Sequence, residues 1–335
     1  MKTSDFDYHL PPELIAQTPL EPRDAARLLR LDRAGGAIGH YHFYDLPELL
    51  QAGDLLVANE SRVIPARIFA HKAETGGAVE ILLLRRIDEV TWQALLRSHR
   101  IHVGPRIELR PDVVAEVIEV STAGERVLRF NRPIDAILGE LGGMPLPPYI
   151  HTPLHDPERY QTVYSHTLGS AAAPTAGLHF TPRLLERLRE RDIHIIYVTL
   201  HVGLDTFKPV ETEDIVQHHI HSEYMEVTEE TVAQIRQAAA EGRRVIAVGT
   251  TSVRVLETVG KHGVQAFAGD TRLFIYPGFK FHVVDGMITN FHLPKSSLLM
   301  LVAAFAGKEK IDRAYAEAIN CQYRFYSFGD AMLIL

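Results

Sequence analysis

The sequence has very little cysteine, since Cys321 is the only one among 335 residues. One thiol cannot form a disulfide within the chain, and we therefore expect no cysteine-based metal site. Long apolar segments are also missing: the longest run, LLMLVAAFA at 298–306, is far shorter than the roughly 20 residues of a membrane-spanning helix. The acidic start, MKTSDFDYHLPPELIAQ, has no apolar core of the kind found in signal peptides. We therefore expect a cytoplasmic protein without a membrane segment.

An excess of positive charge is absent as well. The chain has 35 Lys and Arg against 42 Asp and Glu, a net charge of −7, which argues against a general nucleic-acid binder. One segment departs from this balance, because residues 62–132 hold 12 basic and 9 acidic residues. A solvated basic face explains this local excess as well as a nucleic-acid surface does.

The segment 62–149 predicts an inserted small β-barrel domain. Its apolar runs are short, and turn signals separate them at intervals of roughly 8–12 residues. The predicted strands lie in RVIPARIFAH, AVEILLLRRI, TWQALLRS, RIELRP, VVAEVIEVST and ERVLRFN. Residues 142–149 are rich in Pro and Gly, so we assign them to a linker at the end of this domain.

The flanking segments 1–61 and 150–335 predict one discontinuous α/β catalytic domain. Helix and strand signals alternate after residue 150: Thr181 and Thr228 are helix caps, and HIIYVTL (194–200) and RVIAVG are strands. Such alternation favours a mostly parallel sheet flanked by helices, with the β-barrel interrupting it. In an open sheet of this kind, ligands bind outside the carboxyl ends of the strands.

The strand-to-helix turns carry polar side chains, although neither a Walker loop nor a GxGxxG fingerprint is present. In VGTTSVR, the residues Thr250, Thr251 and Ser252 stand at a helix start with Arg254 nearby. The free backbone N–H groups of such a turn suit a carboxylate or a phosphate. Plain capping of a buried helix is the alternative interpretation.

Three histidines also fall at predicted junctions. His179 follows the small-residue stretch AAAPTAGL, His201 follows the strand HIIYVTL, and His292 lies in TNFHLPK together with Lys295. Histidine titrates near neutral pH and is therefore a common general base, although one histidine at a strand end is more often a hydrogen-bonded core residue.

The segment QHHIHSEY (217–224) favours a different chemistry. His218, His221 and Glu223 could bind zinc or iron, since imidazole and carboxylate are ligands for both metals. The spacing is not that of an HExxH motif, and a polar loop lining a pocket explains the same residues.

Several long blocks together resemble the S-adenosylmethionine:tRNA ribosyltransferase-isomerase family of queuosine biosynthesis. The blocks run nearly from end to end: HFYDLPELLQAGDLLVANESRVIPARI, ETGGAVEILLL, MPLPPYI, APTAGLHFT, VTLHVGLDTF, HHIHSEY, VIAVGTTSVRVLE, ITNFHLPKSSLLMLVAAFAG and YRFYSFGDAMLI. One departure is Glu60, where the family usually has asparagine.

The resemblance implies an unusual use of S-adenosylmethionine as a ribosyl donor. The family transfers and isomerises the ribosyl moiety onto 7-aminomethyl-7-deazaguanine (preQ1) in the tRNA anticodon, and it releases adenine and methionine as epoxyqueuosine forms. It also implies an α/β domain interrupted by a β-barrel. We accordingly expect tRNA and S-adenosylmethionine as partners, no further cofactor, no metal and a monomer.

The chemistry that the resemblance implies suggests roles for the singled-out residues. A proton next to the positive sulfur must be removed, and the candidate catalytic residues are His179, His201, His221, Glu223 and Asp330. The candidate substrate-binding residues are Ala173, Thr175, Gly177, Thr250, Thr251, Ser252, Arg254, His292 and Lys295, with the small ones keeping one wall of an adenine slot thin. The candidate tRNA-binding residues are Arg85, Arg86, Arg97 and Arg100.

Two other classes of function stay open at this stage. A metal-dependent hydrolase on the same scaffold would use His218, His221 and Glu223, and metal analysis of the purified protein would reveal it. A non-catalytic RNA-binding module is disfavoured by the net negative charge and by the many polar turns at strand ends.

Overall fold

A computed structural model describes residues 1–98, 102–121, 124–203, 209–218 and 220–335. The chain divides into two compact units. The first unit comprises Met1–Ser61, Pro147–His166 and Pro174–Leu335, and the second comprises Arg62–Leu146 and Thr167–Ala173.

The strands and helices of the described residues follow one another along both units. The strands are β1 (Arg27–Leu31), β2 (Ile38–His42), β3 (Leu55–Asn59), β4 (Ser61–Val63), β5 (Arg67–Lys72), β6 (Ala78–Arg86), β7 (Thr91–Arg97), β8 (Arg106–Arg110), β9 (Val113–Val120), β10 (Arg126–Phe130), β11 (Gly142–Gly143), β12 (Thr167–Ser170), β13 (His194–Leu200), β14 (Glu223–Val227), β15 (Val245–Val248), β16 (Phe267–Thr271), β17 (Gly286–Asn290) and β18 (Ala331–Ile334). The helices are α1 (Leu46–Leu49), α2 (Leu138–Leu141), α3 (Pro182–Glu190), α4 (Glu229–Ala240), α5 (Thr250–Gly260), α6 (Ser297–Ala306) and α7 (Lys308–Asn320).

The second unit contains the β-barrel that the sequence predicts. Its described strands pair in the order β5-β6-β7-β10-β9-β8, and pairing of β5 with β8 closes the ring. Side chains alternate between the interior and the outside, as in β9, where Val113, Ala115 and Val117 are buried. The predicted small barrel is therefore confirmed.

The first unit is built on a mixed sheet, so the predicted mostly parallel sheet is wrong. Within the described ranges its order is β16-β14-β13-β3-β15-β17-β18-β1-β2. The central strands β13, β3, β15 and β17 run parallel to one another. Strands β18 and β1 also run parallel to each other, but in the opposite direction to these four. The chain passes through two successive helices, α6 and α7, after β17. It therefore returns to the end of the sheet where β17 stops, and β18 runs antiparallel to β17.

The centre of this sheet is buried on both faces. All residues of β3, β15 and β17 are buried, which is why these strands are nearly continuous apolar runs in the sequence. Leu56, Ile246 and Ile288 from these three strands lie in one core cluster with Phe180 and Leu184 from the segment that opens α3. This packing fixes the positions of the strand ends.

Helix starts agree with the capping residues predicted from sequence. The Oγ1 atom of Thr181 accepts a hydrogen bond from the backbone N–H of Leu184 at 3.1 Å, and that of Thr228 accepts one from Thr231 at 3.2 Å. Among the helices of the described ranges, none combines the length and the apolar character needed to cross a bilayer.

Candidate active site

Several of the predicted junctions meet at one edge of the mixed sheet. The parallel strands β13, β3, β15 and β17 all end there, and β14 and β18 start there because they run the opposite way. We call this edge the carboxyl edge. It carries Asn59, His201, Glu223, Thr250, Asn290 and Asp330 at the ends or starts of its strands.

Asn59 locks two of these strand ends together. Its amide nitrogen donates to the carbonyl of Leu200 at 2.9 Å, and its Oδ1 accepts from the backbone N–H groups of Leu200 and Ser61 at 3.1 and 3.0 Å. At the neighbouring position Glu60, the backbone N–H donates to the carbonyl of Val198. The carbonyl of Glu60 accepts from the backbone N–H of His166, so both backbone groups of Glu60 are held.

Arg254 and Glu223 form a buried ion pair at the carboxyl edge. Nη1 of Arg254 donates to Oε2 of Glu223, and the two side chains are 7% and 9% exposed. Nε of Arg254 donates to the carbonyl of Leu273 at 3.1 Å, and Oε1 of Glu223 accepts from the N–H of Gly203 at 2.8 Å. Nη2 of Arg254 is buried and has no hydrogen-bond partner among the described residues. Among the described residues, this nitrogen of the guanidinium is thus a donor without an acceptor.

A cavity of about 280 Å³ lies beside this pair. Its volume is near the lower end of the roughly 300–1,000 Å³ of small-ligand sites. The lining residues are Pro209, Glu211, Thr212, His218, Ile220, His221, Glu223, Arg254, Leu273, Phe274, Ile275, Ser297, Leu298 and Leu301. Three predicted site residues, His221, Glu223 and Arg254, thus share a single cavity that is otherwise largely apolar.

The turn between β15 and α5 has the form expected from its sequence. Gly249 adopts φ +89°, a conformation that glycine tolerates, and α5 begins at Thr250. Oγ1 of Thr251 is buried without a hydrogen-bond partner in the described parts of the chain. Ser252 instead donates to the carbonyl of Val248 at 2.8 Å, so its hydroxyl is used inside the helix start.

His179 and Thr175 both contact Asn290 at the end of β17. Oγ1 of Thr175 donates to Oδ1 of Asn290 at 3.1 Å, and Nδ2 of Asn290 lies 3.3 Å from Nε2 of His179. Since Nδ2 is a donor, Nε2 of His179 accepts, and the ring also hydrogen-bonds the backbone of Arg23. Burial, followed by the charge of Arg324, lowers the pKa of His179 to about 4. The imidazole is therefore neutral at pH 7, with both nitrogens occupied.

His201 differs from His179 because one of its nitrogens lacks a partner. Its ring stacks on Tyr224 with centroids 5.7 Å apart, and Nδ1 is buried without a hydrogen bond to any described residue. Burial lowers the pKa of His201 from its ordinary value, so its ring is neutral at pH 7. In the tautomer protonated at Nε2, Nδ1 carries the lone pair and can accept a proton.

His292 and Lys295 are fixed by neighbours within the first unit. Nε2 of His292 lies 2.8 Å from Oγ1 of Thr289, its backbone N–H donates to Tyr315, and burial lowers its pKa to about 3. Nζ of Lys295 pairs with Asp7 at 2.8 Å on the surface. These contacts give both residues structural roles, and their binding of substrate stays a prediction.

Asp330 is a buried carboxylate that ties the start of β1 to the C-terminal turn. It accepts from the N–H of Arg27 at 2.9 Å, from Nε of Arg27 at 3.4 Å and from the N–H of Arg324 at 2.7 Å. Three donors already occupy this carboxylate. These contacts make Asp330 a less suitable general base than a residue whose acceptor atom has no donor.

Two of the small residues predicted to line an adenine slot, Gly177 and Ala173, are packed against other parts of the protein or lie in the barrel unit. A Cβ atom at Gly177 would collide with the hydroxyl of Tyr164 and lie 2.9 Å from Cγ2 of Thr162, so packing alone requires a glycine there. Ala173 is buried and belongs to the second unit.

The described arginines among those predicted to bind tRNA, Arg85, Arg86 and Arg97, do not form one cluster within the barrel. Arg85 and Arg86 are exposed at the end of β6, whereas Arg97 lies opposite Glu80 near its start. Five residues along a strand span roughly 17 Å. Arg86 is also paired with Asp135 at 3.4 Å. Arg100 lies outside the described residues.

The structure gives no support to the alternative metal centre at His218, His221 and Glu223. Among the described residues, these three do not bring their ligand atoms together, and Glu223 is engaged with Arg254. His218 instead meets the ring of Phe274 edge-on, with centroids 5.2 Å apart.

Asn290 and Phe274 are two examples of site residues that were not singled out from the sequence. Asn290 is the polar residue at the end of the buried strand MITN, and this position could have marked it as a candidate site residue. Phe274 lines the cavity, but nothing in its local sequence distinguishes it from a core aromatic residue.

Comparison with known proteins places these observations in a family. Residues 3–334 match the family model described as queuosine biosynthesis protein. Proteins from Moorella thermoacetica and Carboxydothermus hydrogenoformans, both named S-adenosylmethionine:tRNA ribosyltransferase-isomerase, are each 55% identical over the full length of both chains. A crystal structure of S-adenosylmethionine tRNA ribosyltransferase from Thermotoga maritima is 41% identical, covers 99% of this chain and 100% of its own, and has a TM-score of 0.59. This chain therefore belongs to the queuosine biosynthesis protein family.

Proposed function

We propose that this chain is a transferase that moves and isomerises the ribosyl moiety of S-adenosylmethionine onto preQ1 in the tRNA anticodon. Epoxyqueuosine-tRNA, adenine and methionine are the products. The support is the shared family and the 55% identity, over the whole length, to relatives named for this activity. The reaction uses no cofactor beyond S-adenosylmethionine, and the protein acts as a monomer in the cytoplasm, where its tRNA substrate is.

We assign the binding site of S-adenosylmethionine to the cavity of about 280 Å³ because the Arg254–Glu223 pair lies on its wall. The methionine end of S-adenosylmethionine has a carboxylate and an ammonium group. Nη2 of Arg254 suits the carboxylate, and the carboxylate of Glu223 suits the ammonium. The apolar side chains of Phe274 and Leu301 suit the rest of the donor. Thr251, whose buried hydroxyl has no partner in the described part of the chain, would supply a further donor at the start of α5, outside the lining of the cavity.

His201 is the candidate general base that its surroundings favour. A carbon next to a sulfonium is acidified by the positive charge, and a base must take its proton within a water-poor site. Nδ1 of His201 is buried and has no partner among the described residues, whereas His179 and Asp330 have their acceptor atoms occupied. His179, Thr175 and Asn290 instead act as a positioning group beside the strand ends. His221, which lines the cavity, is the second candidate.

The tRNA would be held by basic side chains of the barrel unit. Arg85 and Arg97 are exposed there, at different ends of the β6–β7 pair. Phosphate contacts from such arginines position a nucleic acid without reading its sequence.

Incubation of the purified chain with S-adenosylmethionine and preQ1-bearing tRNA tests the proposed function. We expect free adenine and methionine in equal amounts, one of each per modified tRNA. The matched control is the same tRNA with unmodified guanine at that position, which should release no adenine. Formation of S-adenosylhomocysteine in place of adenine would mean that the chain is a methyltransferase.

A further inference from the structure

Three possible metal ligands of different chemistry meet where β2 lies beside the end of α7. His40 is on β2, Glu317 is in the last turn of α7, and Cys321 is the residue that ends this helix. One ligand atom from each residue lies within 4.8 Å of the other two. Glu317 and Cys321 are four residues apart and therefore share one helix face. None of the three belongs to the candidate active site.

Both distances to Glu317 are close to the spacing of ligand atoms around one tetrahedral ion. Oε1 of Glu317 lies 3.3 Å from Nε2 of His40 and 3.3 Å from Sγ of Cys321. Zinc binds nitrogen and oxygen at roughly 2.0–2.2 Å and sulfur at about 2.3 Å, so tetrahedral ligand atoms lie about 3.3–3.6 Å apart. The ligand atoms of His40 and Cys321 lie within 4.8 Å of each other, so these two side chains would move closer together on binding one ion.

The imidazole of His40 is already oriented for a metal. Its Nδ1 lies 2.8 Å from the hydroxyl oxygen of Tyr323. In the tautomer protonated at Nδ1, this N–H donates to Tyr323, and the lone pair of Nε2, which lies 3.3 Å from Oε1 of Glu317, can bind a metal. Histidines that bind metals commonly have such a hydrogen bond on the second nitrogen.

The local charges also suit a cation bound through a thiolate. The C-terminal end of a helix carries partial negative charge, and Cys321 ends α7. Arg27 holds the carbonyls of Cys321 and Gln322, and its positive charge favours the thiolate. Sγ of Cys321 donates a hydrogen bond to Oε1 of Glu317 in the metal-free site.

We propose that His40, Glu317 and Cys321 bind one zinc-type divalent ion, with water as the fourth ligand, and that this ion links β2 to the end of α7. Imidazole and thiolate together favour zinc over magnesium or calcium. On binding, the thiol of Cys321 loses its proton to solvent, the thiolate bonds to the metal, and the ion replaces the hydrogen bond between Cys321 and Glu317. The site is structural and takes no part in ribosyl transfer.

Cobalt titration tests this site directly, because the chain has one cysteine and 18 histidines. A thiolate-to-cobalt charge-transfer band can therefore come only from Cys321, whatever other histidines bind. We expect a band that saturates at one equivalent, disappears in Cys321→Ser, and needs 10–100-fold more cobalt in His40→Gln or Glu317→Gln. His42→Gln, a histidine two residues along the same strand, is the control that should keep wild-type affinity.

Thermal unfolding with zinc provides the second measurement. A zinc concentration far above Kd should raise the Tm of the wild type by about 2–4 °C and leave that of Cys321→Ser unchanged. Absence of the charge-transfer band, or a band that persists unaltered in His40→Gln, would overturn the proposal. An equal rise in Tm for Cys321→Ser would show that zinc acts elsewhere and would overturn the link between β2 and α7. Adenine release is expected to be the same in wild type and Cys321→Ser, so either result leaves the proposed function standing.

Discussion

Arg254 and Glu223 form a buried ion pair in which one guanidinium nitrogen, Nη2, has no hydrogen-bond partner among the described residues. Burying two charges costs free energy that their attraction does not always recover, so such a pair is weak evidence for a stabilising role. The pair lies on the wall of a cavity rather than within a packed core. Its arrangement therefore points to the binding of a ligand that carries both signs of charge.

Arg254→Lys should weaken S-adenosylmethionine binding. Lysine keeps the charge but cannot contact Glu223, the carbonyl of Leu273 and a ligand in the fixed geometry of a guanidinium. We expect KM for S-adenosylmethionine to rise at least about tenfold, with KM for tRNA changed less than about twofold. Arg244→Lys is the matched control, because Arg244 makes a comparable pair with the buried Asp54 before the start of β3. If both variants changed KM equally, Arg254 would have no specific role in binding.

His201→Gln should lower kcat while leaving the fold intact. A positioned general base contributes roughly 10²–10⁴-fold to rate, and glutamine cannot accept a proton at neutral pH. His194→Gln is the control, since His194 is exposed at the start of the same strand, β13. Single-turnover rates of adenine release would measure the effect. If His201→Gln released adenine at a rate within threefold of the wild type, His201 would not be the general base, and His221 would be the remaining candidate.

The stability of the protein should fall as the pH is lowered below about 6.5. Burial holds the pKa of His292 at about 3 and that of His179 at about 4, both below the unfolded value of 6.5. The unfolded chain therefore binds more protons in this window, and stability that is complete above pH 6.5 is lost on acidification. His292 alone should account for about 2 kcal/mol between pH 6.5 and 4.5.

Urea unfolding at several pH values measures this dependence. His292→Asn, which retains a partner for Thr289, should lower the stability at pH 7.5 but flatten its decline with acid. The exposed His194→Asn variant should retain the wild-type slope. A wild-type slope in His292→Asn would contradict the assignment.

Gly177→Ala should destabilise the protein because a Cβ atom there would collide with the hydroxyl of Tyr164. Overpacking of this kind costs about 1–3 kcal/mol. Tyr164→Phe removes the buried hydroxyl, which has no partner among the described residues, and should be nearly neutral on its own. The double variant should recover part of the loss in a urea unfolding experiment. Additive effects would show that Tyr164 does not cause the strain.

Removing single charges from the barrel should reveal where tRNA binds. Arg97→Gln and Arg85→Gln, tested separately, should weaken tRNA binding and lower the slope of log K against log salt by up to about one if each arginine meets one phosphate. Arg183→Gln, which removes an exposed arginine from α3 in the other unit, is the control. Wild-type slopes for both barrel variants would place the tRNA elsewhere.

The sequence predicted the elements of the fold better than their directions. Thr181 and Thr228 mark helix starts because capping is local, and the barrel strands are separated by recognisable turns. The direction of β18 depends instead on how α6 and α7 together carry the chain across the sheet. Local patterns do not contain that information, so alternation of helices and strands led to a mostly parallel sheet.

Residue types at the site were predictable, but their partners were not. Arg254 and Glu223 were each singled out, yet their contact joins positions 31 residues apart in the chain. His292 looked like a junction residue, and only the structure reveals the contact with Thr289 and the burial that lowers its pKa. Burial and hydrogen bonding depend on distant packing, which is why three similar histidines have three different environments.

Binding of S-adenosylmethionine and its decarboxylated analogue to wild type and Arg254→Gln tests the site assignment most directly. The analogue lacks only the carboxylate that Arg254 is proposed to hold. We predict that loss of the carboxylate weakens binding to the wild type about 10–100-fold, and that the two ligands bind Arg254→Gln with nearly equal Kd. An equal penalty for the analogue in both proteins would contradict the account, because the carboxylate would then be bound by groups other than Arg254.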